Sequence, residues 1–127
     1  MDKKINIAII GTGGICYCAH LPSYALIKER VNIAALCDIV ESKAIWNRDE
    51  YKLSCDIYTD YKEVLKRSDI DAVDICTPND LHSEIAIAAL VAGKHVFCEK
   101  PDAINIEQVL KMQSAADLYG KTLMVMR

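Results

Sequence analysis

Glycine and proline are scarce, with five and three in 127 residues. That excludes a collagen-like rod and a low-complexity linker. No apolar stretch approaches the roughly 18–20 residues that span a bilayer, so a membrane location is not expected. An excess of one charge is lacking too. Fifteen Lys and Arg stand against 18 Asp and Glu, and the net charge of −3 is spread with signs interspersed. There is no basic footprint for nucleic acid or anionic lipid. Aromatics make up only 6%, and Tyr17, Tyr24 and Tyr61 are scattered, forming no platform on which bases could stack. What is present is apolar: 52% of the residues are hydrophobic. One domain of this length buries roughly two-thirds of its unfolded surface around a single core.

Cysteine is plentiful but lacks the spacings that would give it chemistry. Six cysteines in a small secreted chain would suggest a disulfide framework. Here Cys37, Cys76 and Cys98 lie inside or at the ends of apolar runs, where a thiol behaves as a small hydrophobe. Cys16 and Cys18 form C-x-C, neither a redox C-x-x-C nor half of a zinc knuckle. Cys16 and His20 are four apart and share a helix face, but no further ligand follows at matching spacing, and no metal is expected. The basic start, MDKKINIAIIG, has an apolar stretch too short for a signal peptide and runs into a glycine loop. The expected location is a reducing cytoplasm.

Periodicity gives the fold class. Ile5–Ile10, Val31–Cys37, Ala72–Cys76, His95–Cys98 and Thr122–Met126 are short runs rich in Ile, Val, Leu and Ala. With little alternation, they read as strands buried on both faces, as in a parallel sheet. Cys55–Tyr58 is more polar and reads as an edge strand. Between them, Leu81, Ile85, Ala88, Ala89 and Ala92 recur at helical spacing, with Gly93 as the stop. Ile106, Val109, Leu110 and Ala116 form another stripe, with Asn105 as N-cap, Gln108 at the capping-box position and Gly120 as the stop. Asp60 and Glu63 open a short helix carrying Val64 and Leu65. Ser42–Lys52 reads as an amphipathic helix through Ala44, Ile45 and Tyr51, and Pro22 offsets the helix beginning near Gly13. Strand and helix alternating in this way imply right-handed crossovers and an α/β fold. The expectation is a doubly wound, mainly parallel six-stranded Rossmann sheet with helices on both faces, in the order 3-2-1-4-5-6. Nothing divides residues 1–127, which read as one dinucleotide-binding domain.

The residues that carry chemistry cluster at strand ends. Gly11, Thr12, Gly13, Gly14 and Ile15 follow the first strand and open a helix, where glycine allows backbone to approach a pyrophosphate. Cys16 occupies the third glycine position of G-x-G-x-x-G, and the loop alone fits an ordinary glycine turn equally well. Asp38 ends the second strand at the spacing expected of the carboxylate that reads the adenosine ribose, although a helix N-cap is the plainer role. It would repel a 2′-phosphate, and Ile39, not an arginine, follows it, so NAD is favoured over NADP. The fourth strand runs into Thr77, Pro78, Asn79 and His82, and the fifth into Glu99, Lys100 and Pro101. Both ends face the switch-point crevice of such a sheet. Lys100 is placed to hydrogen-bond a substrate oxygen, or to be a surface lysine paired with Glu99. His95 opens a strand and reads as structural.

Taken together, Gly11–Ile15, His20-Leu21-Pro22, Asp38, Thr77-Pro78-Asn79 with His82, Gly93-Lys94-His95-Val96 and Glu99-Lys100-Pro101 resemble the Gfo/Idh/MocA family. This is the glucose–fructose oxidoreductase and inositol dehydrogenase group of pyridine-nucleotide oxidoreductases, and the resemblance runs nearly the whole chain. It implies that Gly11, Gly13, Gly14 and Ile15 hold the pyrophosphate and Asp38 the adenosine ribose. Thr77, Pro78, Asn79 and His82 would line the cofactor crevice. Glu99, Lys100 and Pro101 would sit by the nicotinamide ribose, with Lys100 the catalytic lysine. Cys16 and Asp102 depart from the family pattern.

The resemblance further implies a second, α+β domain that is absent from this chain, making it a truncated piece or a naturally short product. That domain would form the substrate wall and much of a homo-oligomer interface, and would supply an Asp and a His to the site. The expected function is cofactor binding for hydride transfer to or from a sugar, polyol or related hydroxyl or carbonyl compound, with no turnover by this piece alone. The alternatives are a non-catalytic NAD-sensing or regulatory module and a degenerate interaction domain.

Overall fold

The computed structural model describes residues 4–14, 16–77, 81–98 and 106–125. Six strands form one sheet: β1 (Ile5–Ile10), β2 (Val31–Cys37), β3 (Asp56–Tyr58), β4 (Ala72–Ile75), β5 (His95–Cys98) and β6 (Leu123–Val125). Their order is β3-β2-β1-β4-β5-β6, and every neighbouring pair is parallel. The expected order and class both hold. β1 is central because it can be buried on both faces, and Ala8, Ile9 and Ile10 are nearly inaccessible to solvent. β3 is the polar, half-buried edge that its composition suggested.

The crossovers cover both faces. α1 (Leu21–Ala25) and α2 (Glu41–Glu50) pack on one side, where Cys16, Leu21 and Ala44 meet Ile7, Ile9, Ile33 and Leu36. α3 (Tyr61–Leu65), α4 (His82–Val91) and α5 (Ile106–Tyr119) cover the other. There Val64, Ile85, Ala89, Leu90, Met112 and Ala116 meet Ala8, Ile10, Val73, Ile75 and Val96.

The helices differ from expectation in instructive ways. Before α1, Cys16–His20 forms a wide π-helical turn, and Pro22 falls in the first turn of α1, where its missing N–H costs nothing. Asp60 caps α3 as expected, accepting from the Lys62 N–H at 2.9 Å. The stripe on α5 is displaced. Met112 and Ala116 are buried, whereas Ile106, Val109 and Leu110 face solvent. On α4, Leu81 and Ala92 are exposed, and Ala86 and Leu90 complete the buried face instead. Asn105 lies outside the described residues.

Candidate functional site

The carboxyl ends of β1, β2 and β4 open onto a cavity of about 680 Å³, lined by Gly11, Thr12, Gly13, Asp38, Cys76 and Thr77 among others. It lies at the point where the strand order reverses, the place where α/β sheets receive ligands. Gly11 is at its floor for a reason the turn alone does not explain. Its φ is +96°, and a Cβ there would stand 2.7 Å from the Cys76 carbonyl carbon and 2.7 Å from the Thr77 nitrogen. The end of β4 passes directly over this residue, so no side chain fits. Around Gly13, by contrast, a Cβ would meet nothing within 4 Å. The first glycine admits protein backbone, and the second leaves space open on the cavity side.

Two side chains tether this loop from outside. Asp38 Oδ2 accepts from the Thr12 N–H at 2.9 Å and from the Thr12 hydroxyl at 2.8 Å, and Oδ1 accepts from the Val40 N–H at 2.8 Å. A carboxylate has roughly four lone-pair sites, so Asp38 keeps room for about one further hydroxyl on the cavity side. Asn47, fully buried on α2, donates from Nδ2 to the Thr12 carbonyl at 2.9 Å and to the Lys43 carbonyl at 2.8 Å. Sequence reasoning missed Asn47. Its signal was a polar residue three positions after Ala44, on the stripe that α2 buries.

Thr77 lines the cavity, and its buried hydroxyl has no hydrogen-bond partner among the described residues. His82 does not line it. It is buried behind, with Nε2 hydrogen-bonded to the Thr77 carbonyl. A carbonyl only accepts, so Nε2 carries a hydrogen, and Nδ1 has no hydrogen-bond partner among the described residues. Gly14 is exposed. Ile15, Pro78, Asn79, Glu99, Lys100 and Pro101 lie outside the described residues, as does Asp102. The chain leaves β5 at Cys98, two positions before Lys100.

Beneath the cavity lies a second group that periodicity could not foresee. Asp74, fully buried in β4, accepts at Oδ2 from His20 Nδ1 and from the Tyr24 hydroxyl at 2.8 Å; the Cys76 thiol lies 3.6 Å from Oδ1. His20, Asp74 and Cys76 bring potential metal ligands within 4.8 Å of one another. Donors already face both carboxylate oxygens, however, so the cluster is a satisfied hydrogen-bond network that pins α1 to β4. Burial, and then Asp74, pushes the Tyr24 hydroxyl far above its ordinary range. Cys16 packs in the core beside this network, its thiol pushed up to about 12 by burial and then by Asp74 and Asp38. Burial raises Cys37 to about 12 as well. Such thiols are not nucleophiles at neutral pH. His95 accepts from the Thr122 N–H at 3.0 Å, the structural role expected of it.

Known proteins share this fold. Residues 5–127 match a family model described as an oxidoreductase family with an NAD-binding Rossmann fold. Inositol 2-dehydrogenase of Salmonella typhimurium is 35% identical over 121 residues, covering 95% of this chain and 35% of its own length. The chain thus spans about a third of the curated relatives it matches. Among solved structures, the WlbA dehydrogenase of Chromobacterium violaceum, in complex with NADH and UDP-GlcNAcA, superposes with a TM-score of 0.90 at 30% identity. That match covers 98% of this chain and 35% of the other. KijD10, a 3-ketoreductase of Actinomadura kijaniata in complex with TDP-benzene and NADP, gives 0.88 at 28% identity, covering 97% and 38%.

Proposed function

The chain belongs to the Gfo/Idh/MocA family of oxidoreductases, as its NAD-binding Rossmann domain, and on that premise we propose that it binds NAD(H) in the crevice above Gly11, in preference to NADP(H). Support comes from the fit between the crevice and a dinucleotide. Gly13 leaves its cavity side open, the Thr77 hydroxyl has no other described partner, and Asp38 holds a carboxylate on the lining with room for a ribose hydroxyl.

The observation that carries the preference is Asp38. A fixed carboxylate accepts from a hydroxyl and repels a phosphate at the same place. Lys43 and Lys62 also line the cavity, so the preference is a balance of charges and is open to direct measurement. Asp38→Asn keeps an acceptor toward Thr12 and removes the repelling charge. Calorimetric titration should show NADH binding more tightly than NADPH to the wild-type chain, and the ratio should fall by about tenfold in the variant. Equal ratios in the two proteins would overturn the assignment.

The bound dinucleotide supplies the hydride acceptor or donor. The contribution of this chain is to bind and orient it, through Gly11–Ile15, Asp38, Thr77, Pro78 and Asn79, with His82 fixing the Thr77 carbonyl. Glu99 and Pro101 are proposed to flank the nicotinamide ribose, and Lys100 to hold the reacting oxygen of a sugar, polyol or related hydroxyl or carbonyl compound. The substrate wall, an Asp and a His of the catalytic group, and a homo-oligomer interface are assigned to a further α+β domain. The Rossmann domain alone is therefore expected to bind cofactor without turnover. Among the described residues no helix is long and apolar enough to cross a membrane, and a cytoplasmic location is proposed. A non-catalytic NAD sensor would bind identically. In the full-length enzyme, Lys100→Met separates the two readings, because loss of turnover with cofactor affinity retained requires the catalytic one.

A further inference from the structure

The geometry points to Asn47 as the positioning residue for the pyrophosphate site, acting through the peptide between Thr12 and Gly13. This inference rests on the crevice being a dinucleotide site and adds to it the device that aims one of its donors.

A trans peptide carries its C=O and N–H on opposite sides, and no cis bond occurs among the described residues. The Thr12 carbonyl is turned into the protein, where buried Asn47 donates to it at 2.9 Å. The N–H across the same peptide, that of Gly13, is thereby aimed the other way. That side is open, since Gly13 lines the cavity and a Cβ on it would meet nothing within 4 Å. The adjoining peptide is held separately, by the Thr12 N–H on Asp38 Oδ2 at 2.9 Å. With one peptide clamped by Asp38 and the next by Asn47, the loop cannot flip its 12–13 plane without breaking a buried hydrogen bond.

Asn47 is itself held in place. Its Nδ2 also donates to the Lys43 carbonyl one turn earlier at 2.8 Å, fixing the amide orientation. Its Oδ1 is buried with no hydrogen-bond partner among the described residues. Burying that amide oxygen unpaired, on a helix whose other buried side chain is Ala44, costs stability. Helix packing alone gives no reason to place it there, and aiming the loop does.

The test is affinity for ligands that differ only in the pyrophosphate-bearing part. ADP-ribose and adenosine are titrated against the wild-type chain and against Asn47→Leu, with thermal melting in parallel. Asn47→Leu should bind ADP-ribose about tenfold more weakly, the worth of one charge-assisted hydrogen bond. Its affinity for adenosine should be unchanged, with the melting temperature lowered because the buried Thr12 carbonyl loses its donor. Equal losses for both ligands, or no loss for either, would overturn the positioning role while leaving the cofactor site intact. Absence of ADP-ribose binding to the wild type would overturn the site and this inference with it.

If Asn47→Leu does not fold, the wild-type chain decides by NMR. The Gly13 amide proton should move downfield on addition of ADP-ribose and stay put with adenosine. No selective movement would overturn the inference.

Discussion

At the scale of single residues, the glycine loop is the most constrained feature of the chain. The position of Gly11 is legible from the motif, but the cause differs from the tight turn that the motif suggests. The backbone of β4 lies 2.7 Å from where a Cβ would be, and φ is +96°. Gly11→Ala therefore strains the loop and pushes the end of β4 away, and should cost about 3–5 kcal/mol. Chemical denaturation checks this, and a loss below about 1 kcal/mol would contradict the close approach. Asp38 was legible by spacing, yet the sequence could not show that much of its hydrogen-bonding capacity serves Thr12 and Val40. Asn47 and Asp74 escaped for a related reason. Each sits at a buried position where an aliphatic residue would satisfy the pattern, and each has partners 35 to 54 positions away that no local window contains: Asn47 holds Thr12, and Asp74 holds His20 and Tyr24.

At the scale of elements, strands were more legible than helices. Buried parallel strands such as β1 and β4 are apolar on both faces and announce themselves wherever they pack. The apolar stripe of a helix shows only that something covers it. On α5 the sheet covers Met112 and Ala116 and leaves Ile106, Val109 and Leu110 exposed, which periodicity cannot distinguish.

Helix ends were legible where glycine marks them. α4 and α5 close with the same pair of bonds, Lys94 N–H to Ala89 carbonyl with Gly93 N–H to Leu90, and Lys121 N–H to Ala116 with Gly120 N–H to Asp117. α2 closes identically, Leu53 N–H to Arg48 and Lys52 N–H to Asp49, but with Lys52 in the left-handed position at φ 53°. Such a conformation costs an L-residue about 1–2 kcal/mol, more than the entropy a glycine loses on folding. Lys52→Gly should therefore raise stability by up to about 1 kcal/mol, read as a shift in denaturation midpoint at constant slope. A lower midpoint would show that the Lys52 side chain contributes more than its backbone strain costs.

At the scale of the whole molecule, the edge of the sheet is tied down by charge. Arg67, just after α3, is bidentate to Asp69 at 2.9 and 2.7 Å and also reaches Asp56 at the start of β3 at 2.9 Å. Its carbonyl accepts from the buried Lys94 ammonium at 2.5 Å, linking the turn before β4 to the turn before β5. The guanidinium holds the Asp69 carboxyl below the ordinary carboxylate range. A carboxyl whose pKa is depressed in the folded state contributes stability above its unfolded value, near 4, and loses it as pH falls through the folded value. The melting temperature should accordingly fall between pH 5 and pH 2 more steeply for the wild type than for Asp69→Asn. Parallel curves would mean that the pair is too exposed to matter.

The same scale holds the central claim, that the carboxyl edge of this sheet is a dinucleotide site built by Gly11, Thr12, Gly13, Asp38 and Thr77. The most direct measurement is an amide chemical-shift map of the 127-residue chain titrated with NADH. Saturable shifts should concentrate at residues 11–13, 38–40 and 76–77 and at the start of α4. No saturable shift would contradict the account. So would shifts gathered in the smaller groove at the opposite end of the sheet, between Lys28, Tyr51 and Leu53.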